Sequence, residues 1–270
     1  MRREVLFLAA AGLLAARDAH ADDVHELKKD LPLDVAFTGT TVALVVGSEL
    51  GKPDLVPDEC RWCASNAFDE GARDALLWAR PKRAALISDA MGFVVAPTTA
   101  FATLAGAAAS DDASQKTPTD ALLVLEAVAA SATLNQIVKY TVARERPYGH
   151  YKTPLSPSPT ADARLSFYSG HTSLTFTLAA AAGTVAHLRG YRLAPITWIP
   201  GATIAALTGY LRIAADKHYL TDVLVGAAAG TAMGILLPVV FHPRADAAEP
   251  APPATTSPAA TQVLSFGAAF

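Results

Sequence analysis

Residues 193–241 read LAPITWIPGATIAALTGYLRIAADKHYLTDVLVGAAAGTAMGILLPVVF. The segment contains two runs without a charged side chain, residues 193–211 and 223–241, each 19 residues long. Because a helix needs about 20 apolar residues to cross the hydrocarbon core of a bilayer, either run is long enough to span a membrane. The polar residues 212–222 separate the two runs. The pattern therefore predicts two apolar helices, one ending at Arg212 and the next beginning at Asp222.

Other apolar runs precede this segment along the chain. Residues 90–110 carry no charge, residues 121–138 are interrupted by Glu126, and residues 172–186 form a shorter run. Ala and Leu dominate these runs, and capping and helix-breaking residues lie between them, which is typical of helices. We predict an all-α bundle of about six helices that spans a membrane. A soluble all-α domain with Ala-rich buried helices is the alternative.

The composition limits the class of protein. Hydrophobic residues make up 51% of the 270 residues and charged residues only 17%, so the chain can bury a core and is not expected to be disordered. Its net charge of −3 leaves no basic excess to neutralise phosphates, so nucleic acid is not an expected partner. The two cysteines exclude a disulfide-dense scaffold and a four-cysteine zinc site.

The two ends of the chain differ from its middle. Basic residues at positions 2–3, an apolar run at 5–16 and the pattern Ala-His-Ala at 19–21 predict a secretory signal peptide, with an uncleaved anchor as the alternative. Residues 244–261 are rich in Ala, Pro, Thr and Ser, which predicts a flexible tail. The predicted division is a signal peptide at residues 1–21, an N-terminal segment at 22–86, a helical core at 87–241 and a tail at 242–270.

Cys60 and Cys63 form a C-x-x-C pattern in the N-terminal segment. We predict a local structural disulfide, because a signal peptide directs the chain to an oxidising compartment. A redox-active pair is the alternative. His25, His150 and His242 are predicted to be solvated loop residues. For His150, which is close to residues 139–147, the alternative is a position lining a pocket.

The first segment with candidate functional residues runs from Lys139 to Pro147. Lys139 and Arg146 are seven residues apart, so on a continuous helix they share one face two turns apart. Asn135 lies four residues before Lys139 on the same side, and Pro147 is predicted to stop the helix. Alone, such a pair is typical of a solvated helix end.

The second segment is Ser169-Gly170-His171, which opens the apolar run at 172–186. Ser169 can cap a helix, and Gly170 lets backbone N–H groups approach an anion closely. Since a helix N-terminus attracts anions, His171 is a candidate proton donor there. Alone, the tripeptide is typical of a capped turn.

The third segment contains Arg212, His218 and Asp222. His218 and Asp222 are four residues apart, so on a helix the carboxylate can reach the imidazole. That contact would fix the tautomer and leave the other ring nitrogen free as a nucleophile. Alone, the pair is typical of a structural hydrogen bond.

Together the three segments predict a phosphoryl-transfer site, because each adjoins the end of an apolar helix. If the helices pack antiparallel, these ends converge, and Lys139, Arg146 and Arg212 form a cationic cup. Such a cup suits the equatorial oxygens of a phosphoryl group in transfer. The two histidines can supply the nucleophile and the acid for the leaving group.

These motifs resemble the signature of the superfamily of type 2 phosphatidic acid phosphatases, class A acid phosphatases and vanadium haloperoxidases. That signature is Lys, six residues, Arg-Pro; then Pro-Ser-Gly-His; then Ser-Arg, five residues, His, three residues, Asp. The first motif matches in spacing. The second has Tyr168 in place of Pro, and the third has Leu211 in place of Ser. The resemblance covers roughly residues 90–241 and is closest to the membrane lipid phosphatases.

The resemblance implies a role for each motif residue. His218 attacks phosphorus, Asp222 orients His218, and His171 protonates the leaving oxygen and later activates water. The implied ligands of the phosphoryl group are Lys139, Arg146, Ser169, the Gly170 amide and Arg212. No cofactor and no metal are implied, and vanadate is expected to inhibit as a phosphate mimic. The remaining charges of these segments, Arg144, Asp216 and Lys217, are predicted to be solvated or interfacial.

The implied function is metal-independent hydrolysis of a phosphomonoester or diphosphate, with a lipid phosphate as substrate and a phosphohistidine intermediate. The alternatives are a soluble periplasmic class A-like acid phosphatase, a vanadium haloperoxidase and an inactive membrane scaffold. The resemblance leaves open which phosphate compound is bound. The departures from the motif pattern at Tyr168 and Leu211 bear on substrate preference.

The predicted location is a bacterial-type inner membrane with the active site facing the periplasm. The basic loop at residues 187–192 favours the cytoplasmic side. Residues 35–48 offer only 14 uncharged positions, so we predict that they pack at the interface or against the bundle without spanning. This choice places the motif segments outside. A soluble periplasmic protein is the alternative.

Overall fold

The computed structural model describes residues 24–152 and 160–245. The predicted signal peptide, and the predicted tail beyond residue 245, lie outside the described residues. Within them the architecture is all-α, as predicted, and six of its helices have 20 or more residues. The main helices are α1 (Leu31–Leu50), α2 (Ala67–Leu76), α3 (Pro81–Ser110), α4 (Thr117–Val142), α5 (Gly170–Arg189), α6 (Ala194–Ala214) and α7 (Leu220–Phe241). Single turns of helix lie at Lys52–Leu55, Pro147–His150, Ser114–Lys116 and Ala161–Arg164.

Helix α5 is the centre of the bundle. Most of its side chains are small and buried, and α3, α4, α6 and α7 pack around it. Three glycines four residues apart on α7, Gly226, Gly230 and Gly234, face α5. A Cβ atom at Gly226 would lie 2.7 Å from the carbonyl oxygen of Ser169. The glycine row therefore lets the two backbones approach closely, as small residues do where helices cross in membranes.

Helix α3 changes its winding halfway along. Between Pro81–Ala90 and Ala96–Ser110 it contains the π-helical turn Met91–Val95. Pro97 follows this turn and has no N–H to donate to the preceding turn of helix, so the α-helical bonding pattern is interrupted there. Such turns recur at functional sites, and this one brings Gly92 and Phe93 against His171.

In the part of the chain that the structure describes, four helical segments are long and apolar enough to cross a membrane: Leu31–Leu50, Pro81–Ser110, Ser114–Val142 and Leu220–Phe241. Helix α1 leaves most of its large apolar side chains on the outside of the bundle, with Leu33 and Leu44 more than half exposed. An apolar surface of this kind fits lipid better than water. These features support a membrane protein.

Two expectations about spans need correction. Residues 35–48 were expected to be too short, but Asp30 caps a helix that begins at Leu31 and runs for 20 residues to Leu50. Residues 193–211 were expected to span because they lack charge, yet α6 is not among the four candidates. This helix contains Pro, Thr, Trp and Tyr residues, which carry no charge but are not strongly apolar.

The motif segments converge at one end of the bundle, as predicted. The C-terminal ends of α4 and α6 and the N-terminal ends of α5 and α7 carry them, and all three line one cavity. The predicted domain boundary at residue 86 falls within Pro81–Ala90. The boundaries remain predictions.

Candidate active site

A cavity of about 420 Å³ lies where the three motif segments meet. The cationic cup of Lys139, Arg146 and Arg212 lines it, together with His171 and His218. Each segment therefore contributes a charged or titratable side chain to the same space. The cup and the two histidines lie together as the spacing of the motifs predicts.

The path of the chain between Lys139 and Arg146 differs from the prediction. The two residues do not share a helix, because α4 ends at Val142 and Ala143 adopts a left-handed conformation with φ of 45°. The Ala143 N–H closes the last turn on the carbonyl of Lys139. Arg146 is extended, as a residue before proline tends to be. The two side chains reach one cavity because the chain turns, and helical periodicity plays no part.

Carboxylates partly neutralise the cationic cup. Arg146 donates to the backbone oxygen of Asp162 at 2.8 Å and to its carboxylate at 3.1 Å, and Arg212 contacts Asp89 at 3.1 Å. Burial disfavours the ionised form of Asp162, but the charges of Arg146 and Lys139 outweigh it and hold the pKa of this carboxyl below its ordinary value. Asp89 and Asp162 lie outside the sequence motifs, and no local pattern pointed to them.

His218 presents one ring nitrogen to the cup. The Nη1 of Arg146 lies 3.1 Å from Nε2 of His218, and since a guanidinium only donates, Nε2 accepts and the ring proton lies on Nδ1. The side chain is 2% exposed. Burial, then the charges of Arg146 and Arg212, lower the pKa of His218 well below its ordinary value. The imidazole is therefore neutral, and the electron pair of Nε2 faces the cationic cup, where it accepts from Arg146.

Asp222 lies behind His218. Its Oδ2 is 3.6 Å from Nδ1 of His218, longer than an ordinary hydrogen bond, and Nδ1 has no hydrogen-bond partner among the described residues. Catalytic hydrogen bonds are often long before substrate binds. The orienting role of Asp222 stays a prediction.

Arg144 holds the carboxylate of Asp222, and its prediction as a solvated charge is wrong. It is fully buried, donating to Asp222 at 2.6 Å and to Asp69 at 2.7 Å. Its guanidinium lies 4.0 Å from the ring of Trp62 and 4.2 Å from that of Tyr219. A backbone bridge also joins Trp62 to Arg144. Sequence spacing carries no signal for this network, because Asp69 and Trp62 precede Arg144 by more than 70 positions.

Trp62 belongs to the C-x-x-C segment, where Cys60 and Cys63 are joined as a disulfide in the structure. Asp216 was also predicted to be solvated and is instead buried, paired with Arg73 of α2 at 2.6 Å. The N-terminal segment thus supports the motif loops from outside the cavity.

His171 lies in the first turn of α5. Its Nε2 is 2.9 Å from a carboxylate oxygen of Asp89, and the ring of Phe93 meets it edge-on at 4.7 Å. Burial, then the charges of Arg212 and Lys139, lower the pKa of His171 to about 2. An anion bound in the cationic cup would offset those charges and favour the protonated ring.

The turn before His171 shows two different environments. Gly170 lines the cavity, and a Cβ atom there would lie 3.1 Å from Nζ of Lys139 and 2.8 Å from Oδ1 of Asn135. Its missing side chain lets Lys139 approach the helix end. Ser169 is buried, and its hydroxyl binds the side chain and N–H of Thr172. Its role as a phosphate ligand stays a prediction.

The two departures from the motif pattern lie in packed surroundings. Tyr168 is buried, and its carbonyl accepts a hydrogen bond from Asn135 at 2.9 Å. Leu211 packs in a small apolar cluster with Ala84, Ala214 and Ala215. Neither side chain is among those that line the cavity.

The buried neutral ring of His218 predicts a dependence of stability on pH. The unfolded chain takes up a proton on this ring below about pH 6.5, whereas the folded chain does not, so stability falls as pH falls below 6.5. The slope for one proton is about 1.4 kcal/mol per pH unit. Thermal unfolding in detergent between pH 5 and 7 should show a shallower decline for His218→Gln. Parallel curves would contradict a neutral His218.

Comparisons with known proteins agree with the site. Residues 120–246 match the model of the PAP2 superfamily. The chain is 38% identical over 78 residues to lipid A 1-phosphatase of Porphyromonas gingivalis, a match that covers 29% of this chain and 17% of that protein. The chain thus spans less than a fifth of that relative.

Among solved structures, the chain is similar to a transmembrane PAP2 type phosphatidylglycerolphosphate phosphatase from Bacillus subtilis. The identity is 20% and the TM-score 0.47, over 76% of this chain and 93% of that one. The family match at residues 120–246 includes all three motif segments. The part of the chain that matches the PAP2 superfamily model is therefore the part that carries the candidate site.

Proposed function

We propose that this chain is a phosphatase that hydrolyses a phosphomonoester or diphosphate of a lipid through a phosphohistidine on His218, without a catalytic metal. One observation carries the proposal: the cationic cup, a neutral His218 and His171 line a single cavity. The match of residues 120–246 to the PAP2 superfamily model supports it.

In the first step, Nε2 of His218 attacks phosphorus while the cationic cup binds the phosphoryl oxygens. The bond from phosphorus to the leaving oxygen breaks, and protonated His171 gives its proton to that oxygen. In the second step, His171 takes a proton from water as the water oxygen attacks the phosphohistidine. The P–N bond breaks, which releases phosphate and restores His218. The three cations provide the charge stabilisation that a metal provides in other phosphatases.

The cavity also favours a substrate with an apolar part. Away from the cup, Val45 of α1, Phe93 of α3, Val128 of α4 and Leu174 of α5 line it. A lipid tail fits these walls, whereas a small polar ester would leave them in contact with water. Because the P. gingivalis relative is named lipid A 1-phosphatase, lipid A 1-phosphate is one of the substrates to be tested.

The test is phosphate release by the detergent-purified protein in EDTA. The substrates are lipid A 1-phosphate, phosphatidic acid, an undecaprenyl diphosphate and para-nitrophenyl phosphate. We expect release from lipids, inhibition by vanadate and loss of release in His218→Ala. The matched control is His187→Ala, since His187 is exposed on the last turns of α5. Release from the soluble ester alone would favour an acid phosphatase, and no release at all an inactive scaffold.

We further propose that the site faces the periplasm of a bacterial-type inner membrane. The basic loop at residues 187–192 lies at the C-terminal end of α5, whereas the motifs lie at its N-terminal end. Arginines favour the cytoplasmic side, which leaves the motifs outside. Cysteines placed one at a time in the exposed parts of both loops should react with a membrane-impermeant maleimide only on the motif side. Labelling restricted to the loop at 187–192 would reverse the orientation.

His171 as the acid predicts a dependence on the leaving group. His171→Ala should lower turnover of a lipid phosphate by about 10²- to 10⁴-fold, because an alkoxide leaves poorly without a proton. The loss should be much smaller for para-nitrophenyl phosphate, whose phenolate leaves readily. Steady-state rates on both substrates decide the matter. Equal losses of turnover on both substrates would show that His171 is not the acid.

A further inference from the structure

Three side chains that the proposed reaction does not use meet at the other end of the bundle. Asp34 of α1, Glu126 of α4 and His242 after α7 are all buried, and one ligand atom from each lies within 4.8 Å of the other two. We call these three residues the distal cluster. His242 was expected to be a solvated loop residue, and the structure corrects that expectation.

The distal cluster is far from the active site along every helix that connects them. Asp34 precedes Glu49, which lines the active-site cavity, by 15 residues on α1, a rise of about 22 Å. Glu126 precedes Lys139 by 13 residues on α4, a rise of about 20 Å. A ligand at the cluster therefore cannot contact the cationic cup.

The orientation of His242 favours a cation at the cluster. Its Nδ1 lies 3.0 Å from the carbonyl oxygen of Lys28, and since a carbonyl only accepts, Nδ1 carries a proton. In the neutral ring, Nε2 then offers an electron pair, and it faces Oε2 of Glu126 at 3.2 Å. Two acceptors face each other, so a proton or a metal ion must lie between them or beside both. A histidine held by a carbonyl at Nδ1 is a common arrangement for metal ligands.

The charges around the cluster favour a divalent ion over a proton. Asp34 and Glu126 place two buried carboxylates beside Nε2 of His242, and a single proton can join the ring to only one of them, whereas a divalent ion can contact all three ligand atoms. Besides the cluster itself, the charged residues that line the adjoining cavity of about 370 Å³ are Lys28, Lys29 and Asp30, and all three are exposed to solvent. Buried charges need closer compensation than exposed lysines provide. The cavity gives an ion and its water ligands a route to the cluster.

We propose that Asp34, Glu126 and Nε2 of His242 bind one divalent transition-metal ion, Zn²⁺ or Mn²⁺, which ties together α1, α4 and the end of α7. An imidazole with two carboxylates suits these ions, and water can complete the coordination. The site is structural and separate from the proposed reaction, so its test does not depend on phosphatase activity.

The first measurement is metal content of the full-length protein in detergent. After stripping with EDTA and desalting, the protein is equilibrated with Zn²⁺ or Mn²⁺ and measured by mass spectrometry and by isothermal titration. We expect one ion per chain and a higher thermal unfolding midpoint. His242→Asn and Glu126→Gln should each weaken binding at least tenfold. His187→Asn and His218→Asn should bind as the unaltered protein does.

If the cluster variants fail to fold, a second measurement on the unaltered protein still tests the proposal. X-ray absorption of the unaltered protein loaded with Zn²⁺ should show one imidazole nitrogen and oxygen ligands at about 2.0–2.2 Å. The proposal is overturned if neither ion binds at millimolar concentration, which would leave a proton in the distal cluster. It is also overturned if binding persists in both cluster variants, or if the absorption spectrum shows no imidazole.

Discussion

His218→Ala is expected to abolish turnover of every phosphate substrate that the protein accepts. The loss should be roughly 10⁴-fold or more, as found when other hydrolases lose their nucleophile. The physical reason is that Nε2 of His218 is the neutral, electron-rich atom at the cationic cup, held at 3.1 Å from Arg146. Among the other rings at the cavity, His171 is engaged by Asp89 at 2.9 Å.

Three readouts separate a lost nucleophile from a lost fold. Brief exposure to a ³²P-labelled substrate should label the unaltered protein with an acid-labile, alkali-stable phosphate, and His218→Ala should remain unlabelled. Binding of inorganic phosphate should change only a few-fold, because the cationic cup is intact. The thermal unfolding midpoint of His218→Asn shows whether the fold survives. Turnover of His218→Ala within tenfold of the His187→Ala control would contradict the proposed mechanism.

Local sequence patterns were sufficient to predict the helices and the residues of the cavity. Apolar runs between capped ends predicted the all-α bundle, and the motif spacing placed Lys139, Arg146, Arg212 and both histidines around one cavity. The helices were predictable because the period of a helix acts within a few residues, whereas the motif residues were grouped by the chemistry of phosphate binding. The predicted roles of the individual side chains remain predictions.

The errors arose where distant segments determine the environment. Ala143 ends α4 in a left-handed conformation, although glycine or asparagine normally marks such an end, so no local signal was present. Arg144 and His242 looked like solvated charges because their partners, Asp69 and Glu126, lie far away in sequence. Burial of a charged side chain depends on a partner that the fold supplies, and the spacing of nearby residues does not reveal it.

Replacing Arg144 should have the second largest effect, although its side chain does not line the cavity. Removing its charge in Arg144→Met leaves Asp69 and Asp222 buried without compensation, which costs about 3–5 kcal/mol of stability. Arg144→Lys keeps the charge but lacks the planar fork that reaches both carboxylates. We expect Arg144→Lys to fold with a lowered unfolding midpoint and to lose about 10- to 100-fold in kcat.

The division between kcat and KM distinguishes positioning from a general loss of structure. If Arg144 acts by holding Asp222 behind His218, KM for the lipid phosphate should change little while kcat falls, because the cationic cup still binds the phosphoryl group. Adding Asp69→Asn to Arg144→Met should recover part of the lost stability, since one uncompensated charge is removed. Activity should not recover, because Asp222 still lacks its partner. Arg83→Lys, at an exposed arginine of α3, is the matched control. Unchanged kcat in Arg144→Lys would show that Asp222 does not need Arg144 to support the reaction.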